Sequence, residues 1–130
     1  FVSKSRYRTI NGDSLGRGLF ANVKIPRDTC IAQFIGEEKS IRKFHAGYSI
    51  KINKSTFLDC FMSAHCEPPI CKASMANTAN NLTCPDSGKY LTTADNNCRI
   101  SVSKRKAYLF TTRMIHPNEE LLVPYNFRLN

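Results

Sequence analysis

The sequence predicts a mainly β domain with little helix. Short apolar or alternating runs recur at intervals of roughly ten residues with turn residues between them, which is typical of small sheets joined by loops. The chain has 130 residues, of which 42% are hydrophobic, and this is enough to fill one core. We therefore expect a single domain over residues 1–130, excised from a longer chain because the sequence opens without a methionine.

Five segments are predicted to form strands. Residues 29–35 are an apolar run that follows Pro26-Arg27-Asp28 and stops at Gly36. Residues 48–53 alternate with period two, which places Tyr48, Ile50 and Ile52 on one face. The other three strands are predicted at residues 99–102, 107–112 and 120–125, with a turn at residues 114–118.

Helical character is limited to two short segments. Residues 38–45 are compatible with one or two helical turns, and residues 73–79 with a short helix that ends at a cluster of asparagines. Residues 82–96 are polar and rich in turn formers, so we expect a surface loop inserted between elements.

The charge balance favours an anionic partner. Nineteen Lys and Arg residues against ten Asp and Glu residues give a net charge of +9, which would attract a nucleic acid. The cations are spread along the chain, with the densest run at residues 104–106, and this weakens the prediction of a dedicated nucleic-acid groove. Contact with DNA through a basic surface stays open. No segment approaches the roughly 18 apolar residues that span a bilayer, and we expect no membrane partner.

Six cysteines leave three possibilities open: disulfides, a zinc site or reduced thiols. They stand at positions 30, 60, 66, 71, 84 and 98. Structural zinc sites generally set ligands in pairs roughly two to four residues apart, and this spacing is missing here, so zinc is not favoured. The length and apolar content favour reduced thiols, and with them a nuclear or cytoplasmic location.

Several motifs occur in an order that resembles a known family. Residues 14–21 contain Gly16-Arg17-Gly18, Asn77 follows Met75-Ala76, Asn97 precedes Cys98, and residues 118–125 read Asn-Glu-Glu-Leu-Leu-Val-Pro-Tyr. This order resembles the SET domain of protein-lysine methyltransferases over essentially the whole chain. The resemblance implies a SET-domain (β-clip) fold of small sheets, with a C-terminal segment threaded beneath a preceding loop in a pseudoknot-like arrangement.

The resemblance implies that the protein transfers methyl from S-adenosyl-L-methionine to a lysine of a protein substrate, such as a histone or nucleosome, and leaves S-adenosyl-L-homocysteine. Glycines permit close backbone approach, an Arg can pair with the cofactor's carboxylate, and an Asn side chain can hydrogen-bond to it. The cofactor wall implied by the resemblance comprises Gly16, Arg17, Gly18, Leu19, Phe20, Asn77 and Thr78.

The resemblance places Tyr125 and Tyr48 at the reacting lysine as catalytic residues, and Val123 and Phe127 along the substrate channel. A lysine must lose its proton before it can attack the methyl group, and an apolar channel lowers its pKa by destabilising the charged form. A tyrosine hydroxyl can orient the amine, so alignment supplies most of the rate enhancement. No metal is required by this chemistry.

Substrate docking needs local acids, because a basic protein repels a lysine-rich peptide at long range. The acidic side chains expected to form a docking strip are Glu37, Glu38, Asp59, Glu119 and Glu120.

Two departures from the family pattern motivate an alternative. Thr78 and Ala79 stand where the family has His and Ser, and residues 82–96 form a long insertion. The alternative is a catalytically inactive SET-like module that acts as a chromatin or protein interaction domain. A third possibility is a basic nucleic-acid-binding domain.

Overall fold

The structure is a computed structural model that describes residues 1–9, 11–13, 15–40, 49–65, 71–79 and 82–124. These residues form short strands with little helix, so the predicted mainly β fold is confirmed. No helix among them is both long and apolar enough to cross a lipid bilayer.

The strands are β1 (Val2–Lys4), β2 (Arg8–Thr9), β3 (Arg17–Phe20), β4 (Cys30–Gln33), β5 (Glu37–Ser40), β6 (Ser49–Lys51), β7 (Thr56–Asp59), β8 (Leu82–Thr83), β9 (Cys98–Ser103), β10 (Lys106–Thr111) and β11 (Glu120–Leu121). One α-helix, α1, covers Phe61–Ala64, and 3-10 helices cover Lys72–Met75 and Thr93–Asp95.

The described strands form four small antiparallel sheets, in the orders β1-β3-β11, β4-β10-β9, β2-β8 and β5-β7-β6. β3 lies between β1 and β11, with Leu19 opposite Leu121 and Phe20 opposite Glu120. Beyond β11, Leu122 forms a parallel bridge with Asn77. Three segments that are distant in sequence, around residues 17, 77 and 121, therefore lie side by side.

The core follows the alternation of the strands. On β10, Ala107, Leu109 and Thr111 are fully buried, whereas the residues between them are more exposed. Leu109 joins one cluster with Leu19, Leu121 and other apolar residues of β3, β7 and β11. This cluster fixes β3 and β11 against the second sheet, and thereby the segments that carry the site.

The strand predictions at residues 29–35, 48–53, 99–102, 107–112 and 120–125 each overlap an observed strand, although β4, β6 and β11 are shorter than predicted. Part of the last segment lies outside the described residues.

The helix prediction over residues 38–45 is wrong where the structure describes it. Glu37–Ser40 is strand β5, which pairs with β7, and Lys39 forms an ion pair with Asp59 at 3.1 Å. Cross-strand pairing therefore overrides a weak local helical preference. Residues 41–45 lie outside the described part of the chain.

Two other predictions need correction. The helix expected over residues 73–79 is a 3-10 helix at Lys72–Met75, after which the chain is extended at Ala76. The expected surface loop at residues 82–96 contains β8, which pairs with β2, and Leu82 is buried against Ala79 and Leu122. An apolar residue in a polar segment thus anchors the insertion to the core.

Candidate active site

A cavity of about 140 Å³ lies beside two of these neighbouring segments, those around residues 17 and 77. It is lined by Leu15, Arg17, Ala64, His65, Ser74, Met75 and Asn77. The approach to β3 supplies one wall, α1 and the residue after it a second, and the 3-10 helix with Asn77 a third. Two of the residues predicted for the cofactor wall, Arg17 and Asn77, thus share one cavity.

Gly16 and Gly18 have different structural roles. Gly16 has a φ of +79°, a conformation that favours glycine, and no atom lies within 4 Å of the position a Cβ would occupy. A Cβ on Gly18 would lie 2.5 Å from Oε2 of Glu120 and 3.4 Å from Nδ2 of Asn77. The open side of Gly16 is accessible, whereas the space beside Gly18 is filled by the protein's own side chains.

Glu120 is buried at the base of this region with an exposed fraction of 2%. Ser5 Oγ donates to Oε2 at 2.8 Å and to Oε1 at 3.1 Å, and the Arg6 backbone N–H donates to Oε1 at 3.2 Å. The Asn77 amide donates to Oε2 at 3.3 Å. A buried carboxylate with these donors links β11 to the residues that follow β1 and to Asn77.

The expected acidic docking strip is therefore wrong for two of its members. Glu120 and Asp59, with 4% exposure, are both buried and hydrogen-bonded or ion-paired within the protein. Glu37, Glu38 and Glu119 are less buried; Glu38 pairs with Arg105 and Glu119 accepts a hydrogen bond from Asn97.

Asn77 connects the elements around the cavity. Its side-chain Nδ2 donates to the backbone carbonyl oxygen of Arg17 at 3.1 Å, and its backbone carbonyl oxygen accepts from the N–H of Val123 at 2.8 Å. The half-buried side chain thus holds Asn77 against β3, and its backbone pairs with the segment after β11.

Thr78 follows Asn77 and has a buried hydroxyl that makes no hydrogen bond with the described residues. Most buried hydroxyls have a partner, so an unsatisfied one beside Asn77 is compatible with a ligand group. With the Arg17 cation and the open face of Gly16, the residues present suit a ligand that carries a carboxylate and other polar groups. At about 140 Å³, the cavity between the described walls is smaller than the roughly 300–1,000 Å³ of most ligand pockets.

Leu19 and Phe20 do not line this cavity. Both are buried on β3 and line a separate cavity of about 180 Å³. The Phe20 ring stacks on Phe1 with centroids 5.5 Å apart, and the Arg6 guanidinium lies 5.9 Å from its centre.

The residues predicted for the lysine channel are mostly outside the described chain. Tyr48, Tyr125 and Phe127 fall in ranges that the structure does not describe. Val123 is fully buried in the main core cluster.

His65 is a cavity residue that was not predicted. Its ring stacks on Phe61 with centroids 4.1 Å apart, and its Nδ1 lies 2.7 Å from the Phe61 carbonyl oxygen. If Nδ1 donates to that carbonyl, Nε2 is left as an acceptor in the neutral ring. The sequence signal was its position among the cysteines considered for zinc. No group of three His, Cys, Asp or Glu side chains in the described ranges is arranged to hold a metal ion.

β3, Asn77 and β11 all lie within a region of the sequence that matches one protein family. The sequence matches the SET domain profile over residues 16–126, and the chain therefore belongs to the SET-domain family. No curated protein sequence shows a significant match.

Two solved structures have a similar fold. The methyltransferase domain of human PR domain-containing protein 2 is 20% identical, with a TM-score of 0.60 over 99% of this chain and 79% of that one. A candidate histone methyltransferase of Plasmodium falciparum is 14% identical, with a TM-score of 0.61 over 98% of this chain and 93% of that one. At these identities the likeness concerns the fold.

Proposed function

We propose that this protein transfers methyl from S-adenosyl-L-methionine to a lysine of a protein substrate. The observation that carries the proposal is that Arg17 and Asn77 face one cavity in a chain of the SET-domain family. The names of the two similar structures, a methyltransferase domain and a histone methyltransferase, support a histone as the first substrate to test. A nuclear or cytoplasmic location is part of the same proposal.

Arg17 would pair with the cofactor's carboxylate, and the open face of Gly16 would let the ligand approach the backbone. Asn77 would hold the cavity wall in place through its bonds to Arg17 and Val123 and offer its amide oxygen to the ligand. When bound, S-adenosyl-L-methionine supplies a methyl group that a neutral amine can accept. Tyr125 and Tyr48 are proposed to orient that amine, on the strength of the sequence motif.

Titration calorimetry with S-adenosyl-L-homocysteine tests the cofactor site without a guess about the substrate. We expect a dissociation constant in the micromolar range that is lost on Asn77→Ala and weakened on Arg17→Gln. Arg27→Gln is the charge-matched control, because Arg27 is exposed, outside the cavity, and paired with Asp28. Equal loss of affinity in the control would contradict a specific role for Arg17.

Methyl transfer is then measured by mass spectrometry on histones and basic peptides. We expect methylated lysine with the natural chain and none with Tyr125→Phe, at unchanged affinity for S-adenosyl-L-homocysteine.

The second candidate is a SET-like module without catalysis. It is favoured by the described hydrogen bonds of the Asn77 amide, which go to Arg17 and Glu120 of the protein itself, and by Thr78 and Ala79 in place of His and Ser. This candidate predicts no heat with S-adenosyl-L-homocysteine at high protein concentration and retained binding to nucleosomes.

A further inference from the structure

The outer face of the β4-β10-β9 sheet, which we call the platform face, has a distinct composition. On β10 it presents Tyr108 and Phe110 with Lys106, and on β9 it presents Arg99, Ser101 and Ser103. The alternate residues of both strands point to the core, where Ala107 and Leu109 are fully buried and Ile100 and Val102 pack partly buried. The platform face therefore combines two aromatic rings with two cations and carries no acidic residue on either strand.

The two rings lie in line on the central strand. Tyr108 and Phe110 are two residues apart, which corresponds to about 6.6–6.8 Å along a strand. Both are partly exposed. The Arg99 guanidinium lies over the Phe110 ring at 4.7 Å from its centre, opposite it in the strand register. A ring covered by a planar cation gives a flat, positively charged stacking surface.

The turn that joins β9 to β10 adds charge at the edge of this face. Its central residues, Lys104 and Arg105, have φ values of +51° and +64°. Two-residue turns of this kind strongly favour Asn-Gly, because side chains other than Asn, Asp and Gly are disfavoured at positive φ. The sequence keeps two cations there despite this steric penalty. Arg105 pairs with Glu38, whereas Lys104 and Lys106 form no ion pair with any residue that the structure describes.

We propose that the platform face binds single-stranded nucleic acid. Unpaired bases would stack on Tyr108 and on the Arg99–Phe110 pair, and the phosphates would contact Lys104 and Lys106. Single-strand binders combine aromatic stacking with a positive surface, and bases also stack on Arg guanidinium planes. The net charge of +9 favours the approach of such a polyanion. A duplex hides its base faces, so the rings would add nothing to duplex binding. The inference does not rest on the proposed methyl transfer.

Fluorescence anisotropy with a labelled single-stranded oligothymidylate tests the proposal, with the same strand annealed to oligoadenylate as the duplex probe. We expect tighter binding to the single strand than to the duplex. Affinity should fall with salt, with a slope of about −0.7 per neutralised phosphate.

Two pairs of variants separate stacking from charge. Tyr108→Thr with Phe110→Leu removes the rings but keeps residues suited to a half-buried strand, and should weaken single-strand binding by at least about fivefold. Arg99→Gln with Lys106→Gln should reduce the salt slope. Lys51→Gln with Lys54→Gln removes the same charge from exposed positions outside this sheet and should have less effect. Thermal unfolding confirms that each variant is folded.

The rate at which Cys30 is alkylated gives an independent test of whether the platform face is occupied. Cys30 is exposed and lies opposite Phe110 on β4, so a bound strand should slow its alkylation. Cys84, which lies near the β8 segment outside this sheet, is the internal reference. The proposal is overturned by an absence of binding, by duplex binding of equal strength that the ring variants leave unchanged, or by equal binding of polyglutamate. Protection of Cys84 to the same extent as Cys30 would also overturn it.

Discussion

At Gly18 the Cα hydrogen faces the carboxylate of Glu120, which is held by Ser5, Arg6 and Asn77. Gly18→Ala would place a methyl group 2.5 Å from Oε2, so the carboxylate would have to leave its donors. Loss of hydrogen bonds to a buried charge destabilises by roughly 1–3 kcal/mol or more. We expect chemical denaturation to show that Gly18→Ala lowers the free energy of unfolding by this amount.

A double-mutant cycle with Glu120→Ala identifies the cause of that loss. If the clash with the carboxylate is responsible, the two substitutions together should be less destabilising than the sum of their separate effects. Gly16→Ala is a useful comparison, because the space there is open and only the positive φ is unfavourable, at roughly 1–2 kcal/mol. Additive effects of Gly18→Ala and Glu120→Ala would contradict this explanation.

The buried thiol of Cys98 makes the free energy of unfolding depend on pH in the alkaline range. Burial, with the Glu119 carboxylate adding to it, raises the pKa of Cys98 to about 12. The unfolded thiol loses its proton near pH 8.5, so between this pH and 12 the folded state holds more protons and the free energy of unfolding falls as pH rises. Below about pH 8.5 the thiol makes its full contribution to the free energy of unfolding.

Above pH 9, the free energy of unfolding of Cys98→Ala should therefore fall less steeply with pH than that of the natural protein, by up to about 1.4 kcal/mol per pH unit. Denaturation of both proteins at several pH values measures the difference, in which other titrating groups cancel. Parallel stability curves for the two proteins would show that Cys98 does not titrate on unfolding.

Sequence reasoning singled out Arg17 and Asn77 through the family motifs that contain them, and both line one cavity. Their role in holding a cofactor stays a prediction. Sequence reasoning did not identify the role of Glu120, which depends on donors more than a hundred residues away in the chain. It also missed His65 as a cavity residue, because its position depends on α1 and on a stacking contact with Phe61. Contacts between distant segments leave no local pattern in one sequence.

At the scale of elements, Asn97 joins the start of β9 to β11. Its side chain is 1% exposed, donates to Glu119 at 2.9 Å and to the Glu120 carbonyl oxygen at 3.0 Å, and accepts from the Leu122 N–H at 2.8 Å. Asn97→Ala would leave buried backbone groups without partners, at roughly 1–3 kcal/mol for each group.

We expect Asn97→Ala to lower the midpoint of urea unfolding markedly and Asn22→Ala to leave it nearly unchanged, because Asn22 is exposed. Equal midpoints for the two variants would show that the hydrogen bonds of the Asn97 side chain add no measurable stability.

The elements that the sequence predicted well are those with a strong alternation, as in β9 and β10, where one face is buried. β5 was missed because its four residues are polar and its strand conformation depends on pairing with β7. β8 was missed for a similar reason, since two residues in a polar segment carry no detectable period.

At the scale of the whole molecule, the fold class could be predicted because spacing, composition and motif order agreed. The sheet order could not be derived from periodicity, because β3 pairs with β1 on one side and with β11, about one hundred residues later, on the other. The candidate site also spans several elements, since the walls of its cavity come from β3, α1 and the 3-10 helix. A ligand that contacts all three walls stabilises the folded chain as a unit.

Saturation with S-adenosyl-L-homocysteine should therefore raise the melting temperature. A ligand at one hundred times its dissociation constant stabilises by about 2.7 kcal/mol if it binds only the folded state. For a domain of this size, each kcal/mol of stabilisation raises the melting temperature by roughly 3–5 °C. Arg17 is exposed in the free protein, so without ligand Arg17→Gln should melt near the melting temperature of the natural protein. With ligand, its melting temperature should rise less than that of the natural protein. An equal gain in Arg17→Gln and in the natural protein would place the ligand elsewhere on the molecule.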